Sequence, residues 1–128
     1  MKRVVIDTNI ILRFLLADVG EQSNEVHRLL RKAESGKIKV VILPVIVAEA
    51  SFVLNKYYLK SYAEIAEAME SFLAPSWLEI EHREALRGMW GWYVQGMHFV
   101  DSYLLSLNKY EALELVSFDK KMTKKSKQ

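Results

Sequence analysis

The chain has 128 residues, about half of them apolar and a quarter charged, and it contains no cysteine. This length fits one folded domain with a real core, and without cysteine the chain has neither disulfides nor thiolate metal ligands. The formal net charge of +2 is unevenly distributed. Five lysines follow Asp119, which leaves 13 basic against 16 acidic residues, a net charge of −3, in residues 1–119.

Neither a signal peptide nor a membrane span is expected from the sequence. Asp7 ends the first apolar run too early for a signal peptide. The longest uncharged apolar stretch, residues 40–48, is far shorter than the ~20 residues that cross a bilayer. We therefore expect a cytoplasmic protein that does not engage a membrane.

Apolar periodicity predicts a regular alternation of elements along the chain. In chain order they are strand 2–6, helix 9–17, helix 21–34 with Gly36 as its stop, strand 39–43, segment 45–58, helix 61–73, strand 77–80, helix 84–95, helix 99–110 and strand 113–118. The apolar segment 45–58 alone could be strand or helix, and its sequence favours helix after the first turn. Strands that alternate with helices indicate a parallel sheet covered on both faces. The predicted fold is α/β, a three-layer α/β/α sandwich around a central, mainly parallel sheet of about four to five strands.

The domain prediction is one domain over residues 1–121 and a basic tail over residues 122–128. A lysine-rich terminus is ordinarily a flexible, solvated segment. The alternative is an arm that attracts phosphate groups next to an active site.

Four acidic residues lie inside or at the end of apolar runs, where an unpaired carboxylate is costly. Asp7 and Asp119 end predicted strands, while Glu49 and Asp101 lie near the starts of helices. Ligands of parallel sheets bind beyond the carboxyl ends of the strands, so we expect the four to meet in one cleft. Each acid taken alone could equally be a helix cap or an exposed ion pair.

A shared divalent cation would neutralise such a group most simply, because no Lys or Arg recurs beside all four acids. Oxygen ligands without cysteine favour Mg²⁺ or Mn²⁺ over zinc. One or two such ions suit phosphodiester hydrolysis, since they activate water and stabilise charge on the phosphate.

Four sequence blocks resemble the PIN-domain ribonucleases, most closely the toxin subunit of VapBC-type toxin–antitoxin pairs. In chain order the blocks are Val5–Leu16 around Asp7-Thr8-Asn9, Pro44–Leu54 around Glu49, His98–Leu105 around Asp101, and Val116–Met122 around Asp119. They span nearly the whole chain. The likeness therefore rests on four blocks in the family's order.

The resemblance implies a Mg²⁺- or Mn²⁺-dependent endoribonuclease with one or two ions per site. Carried over residue by residue, the catalytic and metal-binding residues are Asp7, Glu49, Asp101 and Asp119. Asp7 and Asp101 are the first candidates for direct ligation, and Glu49 is a candidate for orienting the attacking water. The expected supporting residues are Thr8, Asn9 and Ser117. The implied partners are RNA, commonly structured RNA such as tRNA, a second copy of the chain in a homodimer, and an antitoxin protein that occludes the cleft.

His98 departs from the resemblance, because many relatives carry a further Asp at that position. It would contact a substrate phosphate or assist the metal, or else cap a helix at the rim of the cleft. Arg13 is a second candidate for substrate contact. The aromatic segment 89–93 is more simply core and dimer contact than an RNA-stacking surface.

Other functions remain alternatives. A PIN-like module that binds RNA or protein without cleaving it is the first, and the intact set of four acids argues against it. A DNA-directed nuclease is compatible with the same metal chemistry. An aspartyl-phosphate phosphatase would need a second Asp where Asn9 stands, and a receiver domain would need an acidic pair where Lys2 and Arg3 stand.

Overall fold

The structure is a computed structural model that describes residues 1–16 and 20–127. In chain order its elements are β1 (Lys2–Val5), α1 (Thr8–Leu15), α2 (Glu21–Glu34), β2 (Ile38–Ile42), α3 (Pro44–Lys56), α4 (Tyr62–Leu73), β3 (Glu79–Ile80), α5 (Arg83–Gly88), α6 (Trp90–Val94), α7 (Phe99–Tyr110) and α8 (Lys120–Ser126). The chain forms two compact units, Met1–Glu81 and His82–Gln128. None of the described helices is both long and apolar enough to cross a bilayer.

The first unit contains a parallel sheet with the strand order β1-β2-β3. Val4 pairs with Val40, and Ile42 pairs with Ile80. The central strand β2 buries Val40 and Ile42 completely, as expected for a β-branched strand with neighbours on both sides. The predicted α/β class with a parallel sheet is confirmed. The sheet has three strands over the described residues, fewer than the predicted four to five.

The helices of the first unit pack on one another, and α2 also packs on β2. Helix α1 packs against both α2 and α3. Each of these helices buries apolar side chains, among them Ile11 on α1, Val26 on α2 and Val47 on α3. Pro44 opens α3 at a position where its missing N–H leaves no hydrogen bond unmade. The packing of α1 on α3 matters most for function, since it brings distant segments of the chain together.

The ends of these helices follow the local sequence. The Ser61 hydroxyl accepts a hydrogen bond from the Glu64 backbone N–H, and the Glu64 carboxylate accepts one from the Ser61 N–H, which makes a capping box at the start of α4. Gly36 follows α2 with a φ of 82°, a left-handed conformation that glycine adopts without strain. The predicted stop at Gly36 thus has a backbone reason. The predicted end of the first helix, Ala17, lies outside the described residues.

The second unit is helical and has its own core. Trp90 is buried, and its indole N–H donates to the Leu86 carbonyl at 3.0 Å. The buried Ser106 hydroxyl of α7 donates to the Ala85 carbonyl of α5 at 2.6 Å. The single helix predicted over residues 84–95 is wrong in one respect: it is divided into α5 and α6 at Met89. Gly88 and Gly91 flank this break, and glycine weakens a continuous helix.

The predicted strand over residues 113–118 is wrong. That segment is irregular in the structure, and Val116 and Phe118 are almost entirely exposed. A β-branched and aromatic run becomes a strand only where a neighbouring backbone and a packing surface accept it, and the sequence alone does not supply either.

Helix α8 covers most of the lysine-rich segment. Met122 in this helix is only 3% exposed, and α8 packs against α7. The predicted flexibility of residues 122–128 stays a prediction, as does the division into one domain and a tail. The structure gives Lys120–Ser126 a helical conformation.

Candidate functional site

Asp7 lies at the carboxyl end of β1 and begins α1. Its backbone is extended, and its Oδ1 accepts a hydrogen bond from the Ile10 N–H at 3.2 Å. The side chain remains exposed. The carboxylate therefore caps the helix and faces solvent, which is compatible with binding a ligand.

Glu49 lies in α3 and shares a cleft with Asp7. The cleft has a volume of about 680 Å³. It is lined by Asp7, Thr8, Asn9, Leu12, Ile46, Glu49, Val53, Tyr57 and Tyr58. Four of the predicted site residues, Asp7, Thr8, Asn9 and Glu49, thus meet on one surface of the first unit. Their meeting follows from the contact between α1 and α3.

Arg13 lies one turn beyond Asn9 on α1, in a neighbouring recess of about 450 Å³. Asp7 and Asn9 line this recess too, together with Gln22 and Glu25 of α2. Arg13 therefore lines a recess to which Asp7 also contributes. Its role in substrate contact stays a prediction.

In the second unit, Asp101 lies in the first turn of α7 and is partly buried. His98 stands at the N-cap position of the same helix, but its side chain makes no capping hydrogen bond. The side chain of His98 is exposed. The predicted role of His98 as a helix cap is therefore not supported by a side-chain hydrogen bond. Its alternative role, contact with a substrate phosphate or assistance to the metal, stays a prediction.

Asp119 begins α8 in the way Asp7 begins α1. Its Oδ1 accepts hydrogen bonds from the Lys121 N–H at 2.9 Å and the Met122 N–H at 3.4 Å. The Ser117 hydroxyl accepts the Asp119 N–H at 3.0 Å, and the Thr123 hydroxyl donates to the carbonyls of Ser117 and Asp119. Ser117 therefore fixes the backbone of Asp119. Thr123 does the same and was not predicted as a supporting residue.

The four acids divide between the two units. Asp7 and Glu49 share the cleft of the first unit, and Asp101 and Asp119 belong to α7 and to the start of α8, two helices in contact in the second unit. Within either unit, over the described residues, no three histidine, aspartate or glutamate side chains form a group that could hold a metal ion. Convergence of all four acids stays a prediction.

The donor set in the cleft suits a hard cation. Asp7 and Glu49 supply carboxylate oxygens, and Thr8 and Asn9 supply hydroxyl and amide oxygens on the same surface. Mg²⁺ typically takes one or two carboxylates and completes its octahedron with water and substrate phosphate. Two exposed carboxylates on an open cleft fit that pattern, and they do not fit the closed nitrogen and sulfur cage of a structural zinc site.

Sequence reasoning missed the cleft-lining residues of α3. Ile46, Val53 and Tyr57 recur at helical spacing around Glu49, so they share its face. Tyr57 and Tyr58 are exposed. Their helical spacing from Glu49 is the sequence signal that could have identified these residues. That spacing is informative only if the whole of residues 45–57 is known to be helical.

The first unit has a parallel sheet, a carboxylate two residues beyond the end of β1, and a second carboxylate in the same cleft. These features define the class, an α/β domain with an acidic site. The chain matches the PIN domain family over residues 4–128. It belongs to that family. The PIN domain is a nuclease-type fold, and its members are typically metal-dependent nucleases that act on RNA. No curated protein and no solved structure matches the chain.

Proposed function

We propose that this protein is a Mg²⁺- or Mn²⁺-dependent endoribonuclease of the cytoplasm and the toxin component of a toxin–antitoxin pair. The observation that carries the proposal is the shared cleft of Asp7 and Glu49 in a chain of the PIN family. Four sequence blocks that resemble VapBC toxins support the finer assignment. The family often pairs with antitoxins.

The proposed catalytic and metal-binding residues are four acids: Asp7 and Glu49, which line the cleft of the first unit, and Asp101 and Asp119 of the second unit. These residues would hold one or two divalent cations. Such an ion, when bound, activates water and stabilises charge on the phosphate. Unlike Asp7 and Asp119, Glu49 does not cap a helix, because it lies within α3. We therefore assign its carboxylate the role of orienting the attacking water.

Other residues of the chain keep these carboxylates in place. The Ile10 N–H holds Asp7, and the Lys121 N–H holds Asp119. Thr8, Asn9 and Ser117 support the acids from adjacent positions. Arg13 and His98 are the proposed contacts to substrate phosphates, where the Arg13 guanidinium would offset the negative charge of the RNA backbone.

A homodimer is proposed as the working form. Val45 and Phe52 lie two turns apart on the same side of α3, and both are exposed. A second copy that covered this surface would remove apolar area from water. Sedimentation of wild type beside a Phe52→Glu variant tests it: a monomeric wild type would contradict the dimer.

An antitoxin would need an apolar surface to occupy. The first unit has a recess of about 370 Å³ between α2 and the end of α4, and its lining includes the side chains of Phe14, His27, Phe72 and Trp77. Such a surface suits the apolar face of a partner helix. Co-purification with the protein encoded by the adjacent reading frame tests this part of the proposal. A neighbouring frame that encodes no small partner would weaken it.

The deciding experiment compares wild type with Asp7→Asn and Asp101→Asn on total tRNA and on a matched single-stranded DNA. Each protein is assayed with Mg²⁺, with Mn²⁺ and with EDTA. Glu67→Gln is the matched control, because Glu67 is an exposed carboxylate on α4 outside the cleft. The proposal requires RNA cleavage that needs metal, survives in the control and disappears in both aspartate variants.

Two other outcomes would redirect the assignment. RNA binding without cleavage in wild type would favour a non-catalytic PIN-like RNA-binding module. Cleavage of DNA in preference to RNA would keep the metal chemistry and change the substrate.

A further inference from the structure

The lysines of α8 occupy one side of the helix. Lys120, Lys121, Lys124 and Lys125 belong to α8, and Lys127 is its C-cap residue. At about 100° per residue, they fall within an arc of roughly 160°. Met122, Thr123 and Ser126 occupy the rest of the circumference. We define the lysine side as the basic face.

The opposite side of α8 is attached to the second unit. Met122 is buried, the Thr123 hydroxyl donates to the Ser117 and Asp119 carbonyls, and the Ser126 hydroxyl donates to the Thr123 carbonyl at 2.7 Å. The two hydroxyl groups bond locally, within α8 and the residues just before it. Buried Met122 and the contact of α8 with α7 fix the packed side, so the basic face points away from it. Lys120, Lys121, Lys124 and Lys127 are exposed, and Lys125 is partly so.

The positive charge of this face is uncompensated within the part of the chain that the structure describes. There, no carboxylate forms an ion pair with the lysines of α8. Lys120 and Lys124, like Lys121 and Lys125, stand four residues apart, a spacing at which like charges destabilise a helix. An anionic ligand would relieve this repulsion.

We infer that the basic face of α8 is a binding surface for the sugar-phosphate backbone of RNA, which begins directly after the proposed catalytic residue Asp119. This inference rests on the proposed function and adds a substrate-binding element to it. Lysines arranged along one helix face neutralise successive phosphates without reading base sequence. They also counter the repulsion between RNA and an acidic site.

A nucleic acid fits this face better than an anionic membrane does. Helices that lie on membranes insert an apolar face beneath a polar one. The one large apolar side chain of α8, Met122, is already buried in the protein. The helix therefore offers charge without an insertable surface.

The test measures RNA binding against salt concentration. The variant replaces Lys120, Lys121, Lys124 and Lys125 with Gln, and the control replaces the exposed residues Lys2, Lys32, Lys37 and Lys60 with Gln, so both carry the same change in net charge. The probe is a short labelled single-stranded RNA in EDTA, which suppresses metal-dependent cleavage. Each lysine that contacts a phosphate should contribute about 0.7 to the slope of log affinity against log salt.

We expect the α8 variant to bind roughly tenfold or more weakly, with a shallower slope, while the control keeps the wild-type slope. An equal loss of RNA affinity in the two variants would show that only the net charge of the protein matters, and it would overturn the inference. Unchanged RNA binding with lost binding to vesicles of anionic lipid would overturn it in favour of a membrane role.

A second measurement does not depend on the variant. Amide exchange of residues 120–126 in wild type should slow when RNA is added, because neutralised lysines stabilise the helix. Unchanged exchange at saturating RNA would count against the inference. RNA cleavage is measured in a separate assay. A protein that cleaves RNA but does not bind it through α8 can therefore be distinguished from one that binds RNA through α8 but does not cleave it.

Discussion

Asp7 and Glu49 face one cleft because α1, which Asp7 begins, packs against α3, which carries Glu49. The two residues are separated in sequence by all of α1, α2 and β2. Both helices bury apolar side chains, such as Ile11 on α1 and Val47 on α3, so ordinary core packing holds them together. A core substitution at this contact should therefore alter the spacing of the two carboxylates as well as stability.

Asp7→Asn and Asp7→Ala should separate the structural from the chemical role of this residue. Asparagine caps a helix about as well as aspartate, whereas alanine costs about 0.5–2 kcal/mol of unfolding free energy. Both variants should lose RNA cleavage, because neither has a carboxylate. Urea denaturation and the cleavage assay measure the two effects. Full cleavage by Asp7→Asn would contradict a catalytic role for the carboxylate.

The ion pair between Arg3 and Glu79 should make stability depend on pH in the acid range. Arg3 lies on β1 and Glu79 on β3, so the pair reaches across β2. Nε of Arg3 donates to Oε1 of Glu79 at 3.1 Å, and a second guanidinium nitrogen donates to Oε2. These hydrogen bonds lower the pKa of Glu79 from its usual value.

A carboxyl whose pKa is lower in the folded state adds stability above its unfolded pKa, and this stability is lost as the pH falls through the folded pKa. The contribution should be small and salt-sensitive because the pair is exposed. Arg3→Gln should raise the pKa of Glu79 in an NMR titration, and its stability should converge with that of wild type in acid. Lys2→Gln on the same strand is the control. An unchanged Glu79 titration in Arg3→Gln would refute this origin of the shift.

Trp90 and Trp92 should respond differently to truncation. Trp90 is 1% exposed, with its ring edge-on to Tyr93 and Phe99, so Trp90→Ala should cost about 3–5 kcal/mol. Trp92 is only partly buried and has the Lys109 ammonium 5.9 Å from its ring, so its loss should cost less. Chemical denaturation of both variants checks this order. A larger loss of unfolding free energy in Trp92→Ala than in Trp90→Ala would contradict the placement of Trp90 at the centre of the core of the second unit.

Ser51→Ala should stabilise the protein. Ser51 is 1% exposed, and its hydroxyl has no hydrogen-bond partner among the residues that the structure describes. A buried, unpaired hydroxyl costs about 1–3 kcal/mol, and alanine removes that cost with little change in shape. Thermal and urea denaturation should show a gain of up to that size. Ser106→Ala is the contrasting variant, since it removes a hydroxyl that donates to the Ala85 carbonyl, and it should destabilise.

The sequence predicted best where local signals agree. Helix α2 begins and ends where its apolar spacing and Gly36 indicate, and α7 also matches its predicted bounds. The position of Asp7 after a β-branched strand was predictable because Val4 and Val5 favour a strand and Asp favours an N-cap.

What the sequence predicted poorly depends on distant neighbours. Residues 113–118 have strand-like composition, yet their conformation is decided by whether another strand lies beside them. Tyr57 and Tyr58 line the cleft only because α3 continues to Lys56 and turns its face toward α1. The residue composition of α3 favours a helix, but tertiary packing decides which side of that helix faces α1.

Two of the proposed catalytic acids, Asp7 and Asp119, also begin helices, and this has an evolutionary consequence. Exchange of either for asparagine would remove the negative charge that is proposed to bind a cation, while preserving the cap. A nuclease of this kind could therefore lose cleavage and become a binding protein by one such exchange, because the exchange does not destabilise the fold. Descendants of this chain that have abandoned cleavage should carry asparagine at these two positions more often than an apolar residue.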